Sequence, residues 1–97
     1  MFGYAPALFK NENNYKLFVT GGELQARTTN KVWFYDICAK EFCKGAEMNQ
    51  ARRNHSVSVM NGTMVVFGGQ CSNEILSSAE VLDLKNDASG WIEVNSS

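Results

Sequence analysis

The sequence predicts an all-β chain built as two tandem four-stranded antiparallel units, and three observations carry that prediction. Leu17-Phe18-Val19-Thr20-Gly21-Gly22 returns as Met64-Val65-Val66-Phe67-Gly68-Gly69, and Val32-Trp33-Phe34-Tyr35-Asp36 returns as Ala79-Glu80-Val81-Leu82-Asp83, both at an offset of 47 residues. A fixed offset of that size belongs to repeated β-architecture, in which one unit cannot bury its apolar face alone. Helical periodicity is nearly absent, whereas short runs rich in Val, Phe, Leu and Tyr alternate with Gly, Asn, Asp and Ser. Asn61-Gly62 separates two such runs, and both residues of a type I′ turn need positive φ, which makes it a strong hairpin signal.

Taken in order, Tyr4 to Phe9 reads as the first strand, followed by an Asn-rich turn at Asn11 to Asn14. Tyr15 to Thr20 is the second strand, ended by Gly21-Gly22. Lys31 to Ile37 is the third, and Glu41-Phe42-Cys43 marks a short fourth. A polar link from Lys44 to Asn54 holds Met48, Arg52 and Arg53. In the second copy, His55-Ser56-Val57-Ser58-Val59-Met60 alternates small polar and apolar residues, so Val57 and Val59 share one face. Thr63 to Phe67 runs back after the Asn-Gly turn and stops at Gly68-Gly69. A loop from Gln70 to Ser78 precedes a third strand, Ala79 to Leu84. The turn-rich connection Lys85-Asn86-Asp87-Ala88-Ser89-Gly90 leads to a fourth, Trp91-Ile92-Glu93-Val94. The two units divide at 1–46 and 47–97.

Size and charge narrow the function classes. Ninety-seven residues make one small domain at most. With 44% hydrophobic and 20% charged residues and a net charge of −1, nothing electrostatic favours nucleic acid or an anionic membrane surface. No apolar run approaches the ~18 residues of a membrane span. The start, Met1 to Phe9, lacks the basic head of a secretory signal and contains Pro6. These features lead to the expectation of a cytoplasmic chain, with cytoskeletal association or a nuclear location left open.

Cys38, Cys43 and Cys71 are odd in number and form no C-x-x-C pair. With His55, the sole histidine, they could be counted as a Cys3His set, yet the spacings match no compact zinc knuckle. They read as reduced thiols packed as small hydrophobes. A Cys38–Cys43 bridge is conceivable across a hairpin, although a reducing compartment opposes it. No cofactor or metal is expected. The sequons at Asn54, Asn61 and Asn95 read as accidental, Asn61 having its own reason as a turn residue.

The repeated landmarks have structural reasons. A glycine pair after an apolar run accommodates positive φ and lets a neighbouring strand or ring approach where a Cβ would stand. Asp36 and Asp83, after the third strands, can accept hydrogen bonds from turn amides. Phe42 and Trp91 hold the aromatic position of the fourth strand, where a ring can cover the gap between sheets. No Gly-x-Ser-x-Gly, phosphate-binding glycine loop or His-Glu-x-x-His is present, and no catalytic residue is assigned.

The series Gly21-Gly22, Tyr35-Asp36, Phe42, Met48, Arg52, His55 and Gly68-Gly69 resembles the kelch repeat. The family pattern has Trp where Phe42 stands and Tyr where Leu82 stands, so the first copy departs at its fourth strand and the second at its third. Trp91 restores the expected residue. The resemblance covers nearly the whole chain and implies a β-propeller in which each repeat is one blade. Two blades make an incomplete ring, so the expectation is either a piece of a longer chain or several chains completing the circle.

The resemblance also implies that loops after Gly-Gly and loops entering each inner strand line one rim, where binding is normally carried. There the sequence offers Arg27, Arg52 and Arg53 with Gln25, Gln50, Asn54 and Gln70. Arginine's planar fork suits carboxylates, so an acidic protein or peptide ligand is expected. Arg52 and His55 also have a structural reading, as residues of the blade junction. Similarity to the BTB–kelch family implies a substrate-recognition module of a cullin-based ubiquitin ligase, although no BTB or BACK segment lies in these residues. The alternatives are an actin- or cytoskeleton-binding kelch protein and a propeller enzyme, the last disfavoured by the single histidine.

Overall fold

The computed structural model describes residues 3–11, 14–86 and 90–94. Parts of the expected Asn11–Asn14 turn and Lys85–Gly90 connection, the first two residues and the Asn95 sequon lie outside the described residues.

Two four-stranded antiparallel sheets form. The first contains β1 (Ala5–Asn11), β2 (Asn14–Thr20), β5 (Val32–Asp36) and β6 (Glu41–Lys44), in that spatial order. The second contains β7 (Ser56–Met60), β8 (Thr63–Phe67), β11 (Ala79–Asp83) and β12 (Ile92–Val94), likewise in order. Between the second and third strands of each sheet the chain makes a two-stranded ribbon: β3 (Glu23–Leu24) with β4 (Arg27–Thr28), and β9 (Gln70–Cys71) with β10 (Glu74–Ile75).

The repeat is preserved in register. Thr20 pairs with Val32 as Phe67 pairs with Ala79, and Lys16 with Asp36 as Thr63 with Asp83. At the end of each second strand the Gly21 amide donates to Lys31 O at 2.9 Å, and the Gly68 amide to Ser78 O at 3.0 Å. The Thr29 amide then closes on Gly22 O, and that of Leu76 on Gly69 O, both at 2.9 Å. The glycine pairs therefore occupy equivalent places in equivalent antiparallel quartets, forming two blades of an unclosed ring. At Gly21 φ is 62°, and a Cβ would stand 2.3 Å from Arg52 O and 2.8 Å from His55 Cε1. Both expected reasons for glycine operate there at once.

The core lies between the sheets. Phe9, Phe18 and Val32 come from the first sheet, Met64, Val66 and Leu82 from the second, with Met48 from the link and Trp91 beside β12. Removing a large apolar side chain from water contributes about 1.5–3 kcal/mol each, so this shared layer is what joins the sheets. The inner strands β1 and β7 lie against one another.

Several local expectations are corrected. The stretch Gln70 to Ser78, expected as a loop, begins with a ribbon, and so does the segment after Gly22. The first ribbon turns on Gln25 and Ala26 with φ of 53° and 65°, a left-handed pair supplied without glycine or asparagine. Asp36 and Asp83 are the last residues of β5 and β11, inside the strands expected over 31–37 and 79–84. No disulfide joins Cys38, Cys43 and Cys71. Cys38 is exposed, and Cys43 and Cys71 are half-buried, so none belongs to the core. Asn61-Gly62 adopts φ of 52° and 77°, as a type I′ turn demands.

Candidate interaction site on the ribbon rim

The link between the sheets positions the site. Its backbone is held by the first blade: the Met48 amide donates to Asn30 O at 3.0 Å, the Arg52 amide to Thr29 O at 3.2 Å, and the Gly22 amide to Arg52 O at 2.7 Å. Its side chains turn into the second blade. Arg52 is wholly buried and donates through Nη1 to Gly68 O and Ser78 O at 3.0 and 2.9 Å. Nη2 reaches Ser78 Oγ at 2.9 Å and the Glu80 carboxylate at 3.2 Å. Glu80, equally buried, also accepts the Asn49 and Gln50 amides at 2.6 and 2.9 Å. A buried ion pair tolerates its loss of water only when most of its polar atoms are bonded; five further bonds hold this one, three from the guanidinium and two to the carboxylate, while Arg52 Nε has no hydrogen-bond partner.

Arg53 points the other way and clamps the two ribbons. Its Nη1 donates to Glu23 Oε2 at 2.6 Å and its Nη2 to Ser72 O at 2.9 Å, while its backbone pairs with Gln70 through bonds of 3.0 and 2.9 Å. The Ser72 amide reaches Thr28 Oγ1 at 3.4 Å. The ribbons are thus fixed side by side.

His55 is buried with Nε2 2.7 Å from Thr20 Oγ1. That hydroxyl donates to Ala5 O at 3.3 Å, so it accepts from Nε2–H and leaves Nδ1 as the unprotonated nitrogen. Nδ1 has no hydrogen-bond partner. Burial, and secondarily the Arg52 charge, push the His55 pKa down to about 4. The imidazole is neutral and enclosed, so it presents no base to solvent.

The other landmarks do structural work. Asp36 Oδ1 accepts from the Ala39 amide and Asn14 Nδ2, both at 3.1 Å, and those bonds hold its carboxyl below the usual range. Asp83 Oδ1 accepts the Lys85 amide at 2.9 Å. Trp91 is 7% exposed, and its Nε1 donates to Ala46 O at 2.8 Å, so its ring closes the junction between blades. Phe42 does not act as expected. It is 72% exposed and makes an edge contact with the Tyr35 ring at a centroid distance of 5.0 Å, and among the described residues no second sheet covers that face.

Of the seven expected binding residues, the structure places Arg52 out of a partner's reach and commits the Arg53 guanidinium to Glu23 and Ser72. Gln70 is half-buried in β9 and bonded through its backbone to Arg53. Gln50 is half-buried, its Nε2 donating to Ala51 O at 3.1 Å. Gln25, Arg27 and Asn54 remain exposed. The apolar ribbon residues Leu24 and Ile75 (the latter 84% exposed) were missed, as was Glu80. A lone apolar residue in a polar loop was the available signal for the first two. Among the described residues no group of three or more His, Cys, Asp or Glu could hold a metal ion, and no helix is long and apolar enough to cross a membrane.

Equivalent antiparallel quartets packed face on face, with ribbons projecting after paired glycines, define the chain as blades of a β-propeller. Comparison with known proteins agrees: the Kelch motif matches residues 51–88. The chain is 37% identical to alpha-scruin of Limulus polyphemus across 68% of its own length and 7% of that protein. It is 35% identical to Kelch repeat protein M-T9 of Myxoma virus across 69% of the chain and 13% of the relative. It is 36% identical to Kelch-like protein 21 of Rattus norvegicus across 66% and 10%. The chain therefore belongs to the kelch-repeat family, and the matched region is a small part of each of these relatives.

Proposed function

We propose that the chain is a protein-binding module whose ligand is taken on the ribbon rim, and that it serves as substrate-recognition blades of a BTB–kelch type adaptor. The observation that carries this reading is the Arg53 clamp. By tying Glu23 of one ribbon to Ser72 of the other, it presents Leu24, Gln25, Arg27 and Ile75 on one fixed surface. Rigid presentation lowers the entropy that binding must overcome. Exposed aliphatic tips beside one arginine suit a protein surface with an apolar patch. The acidic-ligand expectation rested on three arginines, and of these Arg27 alone retains an exposed guanidinium, so a single ligand carboxylate is the most it retains. Membership of the kelch-repeat family supports a protein-binding role, and a cytoplasmic location is proposed with it.

The test is affinity capture from cell lysate with the wild-type chain and with a Leu24→Ser, Arg27→Ala, Ile75→Ser variant. Proteins retained by the first and lost by the second are the expected result, and the parent protein that carries these blades is expected to bring down cullin subunits with the same proteins. Identical retention by both chains overturns the rim as the binding surface. Recovery of actin filaments without ligase subunits replaces the adaptor by a cytoskeletal role.

A further inference from the structure

His55 packs against the roots of both ribbons. A Cβ on Gly21, where the first ribbon leaves its sheet, would stand 2.8 Å from the imidazole Cε1. One on Gly69, where the second ribbon leaves, would stand 2.8 Å from His55 Cβ. The bonds that close these roots run through the same glycines and the link that leads into His55. The Gly22 amide donates to Arg52 O at 2.7 Å and the Thr29 amide to Gly22 O at 2.9 Å. The Gln70 amide donates to Arg53 O and the Leu76 amide to Gly69 O, both at 2.9 Å. The backbone that carries the ribbons is thus also the cover of the imidazole.

The closed junction has no place for a second proton on that ring. Nε2 is engaged with the Thr20 hydroxyl at 2.7 Å, and Nδ1, the nitrogen that would take the proton, is buried with no hydrogen-bond partner. Protonation would turn Nδ1 into an unpaired buried donor on a charged ring, a far costlier state than an unpaired acceptor. The surrounding charges offer no relief. Arg52 adds its own positive charge, and Arg53 directs its guanidinium to Glu23 and Ser72. The Glu80 carboxylate is taken by Arg52 and by the Asn49 and Gln50 amides. Thr20 and Gly21 from the first blade and Gly69 from the second bring no carboxylate. A proton can therefore be held only where water reaches the ring. The weakest part of its cover is the ribbons, with two residues per strand and hinges at Gly21, Gly22, Gly68 and Gly69, all at positive φ.

We propose that His55 is a proton-operated latch on the ribbons: a proton taken from solvent onto Nδ1 selects conformations in which the glycine hinges lift the ribbons off the junction, while the two four-stranded sheets stay paired. The latch acts on the surface assigned above to ligand binding, yet it concerns the closure of the ribbons and holds whether or not that surface takes a ligand.

Amide hydrogen exchange followed by NMR from about pH 7.5 to about pH 5 tests this, expressed as protection so that the intrinsic pH dependence of exchange cancels. The ring pKa is about 4 when enclosed and near 6.5 when open to water, so the Gly22, Thr29, Gln70 and Leu76 amides are expected to lose protection by about 10- to 30-fold over that range. Amides of β2 and β8 are expected to remain the more protected at every pH. His55→Gln, which takes up no proton there, is expected to keep ribbon protection level. Should that variant fail to fold, the wild type decides alone: His55 is the sole histidine, so its ring gives one set of NMR signals, expected to report a neutral imidazole in the closed chain down to about pH 5. Ribbon protection that stays level in the wild type, or falls equally in His55→Gln, overturns the proposal. So do ribbon amides already unprotected at about pH 7.5, ribbon and strand amides with one common protection, and a ring that protonates near pH 6.5 with the ribbons still closed.

Discussion

Arg52 and Glu80 form a wholly buried ion pair, 3.2 Å between Nη2 and Oε2, placed where the backbone of one blade meets the side chains of the next. Arg52 bonds to the first blade through its main chain and to the second through its guanidinium. Removing either partner strands a buried charge, which costs on the order of 3–5 kcal/mol. Arg52→Ala and Glu80→Ala are each expected to lose that much in urea unfolding. The double variant Arg52→Met, Glu80→Leu should lose less than the sum, since no charge is left unpaired. Strict additivity of the two losses would show that the pair does not couple.

The glycine pair of the second blade separates two costs that usually travel together. Gly68 and Gly69 have φ of 69° and 89°, and adding a Cβ in that region costs about 1–2 kcal/mol at either position. At Gly68 the nearest atom to that Cβ is Leu76 O at 3.5 Å, an ordinary contact. At Gly69 it would lie 2.6 Å from Arg53 O and 2.8 Å from His55 Cβ. Gly68→Ala should therefore show the backbone cost alone, and Gly69→Ala a markedly lower thermal midpoint. Equal midpoints would mean that the lead-in to β7 yields freely.

What was readable in the sequence was what local geometry dictates. The Asn61-Gly62 turn follows from φ preferences, and the strand cores follow from alternation around it. Glu80 was unreadable, since a charge within a strand reads as solvent-facing. Its partner is 28 residues away along the chain, and the amides that complete its shell come from 30 and 31 residues away. The turn at Gln25-Ala26 was hidden because neither residue type announces positive φ. Phe42 and Trp91 hold the same place opposite the third strand yet differ in burial, because the fate of that ring depends on the neighbouring blade. The rim divided in the same way: the exposure of Gln25 and Arg27 was readable, whereas the inward turn of Arg52 depended on contacts that no local pattern encodes.

Arg53 makes its own prediction, about order more than stability. Its bonds to Glu23 and Ser72 are partly exposed, and a neutral replacement should cost only about 1–2 kcal/mol of global stability. The ribbons β3–β4 and β9–β10 have only two residues per strand and rely on that clamp. Arg53→Ala is expected to speed amide hydrogen exchange in both ribbons while leaving β2 and β8 protected. Unchanged exchange in the ribbons would show that the turns alone hold them, and would remove the rigidity argued for the rim.

His55 sets the acid response. Its pKa, held at about 4 first by burial and second by the Arg52 charge, compares with an unperturbed value near 6.5 in the unfolded chain. Between those values the unfolded state binds more protons than the folded one, so stability rises with pH across the window. The contribution is complete above about pH 6.5 and drains away as the pH falls toward about 4. Asp36 and Glu47 have depressed pKa values, the latter chiefly through its bond from Lys31, and their contributions are lost only below the ordinary carboxylate values of 3.8 and 4.5. The interval from about pH 6.5 to about pH 5 therefore belongs to His55, the sole histidine. Thermal midpoints of the wild type should decline through it, and His55→Gln should flatten the curve there while keeping the descent at lower pH. A wild-type midpoint that holds level down to about pH 5 would mean that the enclosed imidazole takes up its proton without disturbing the junction.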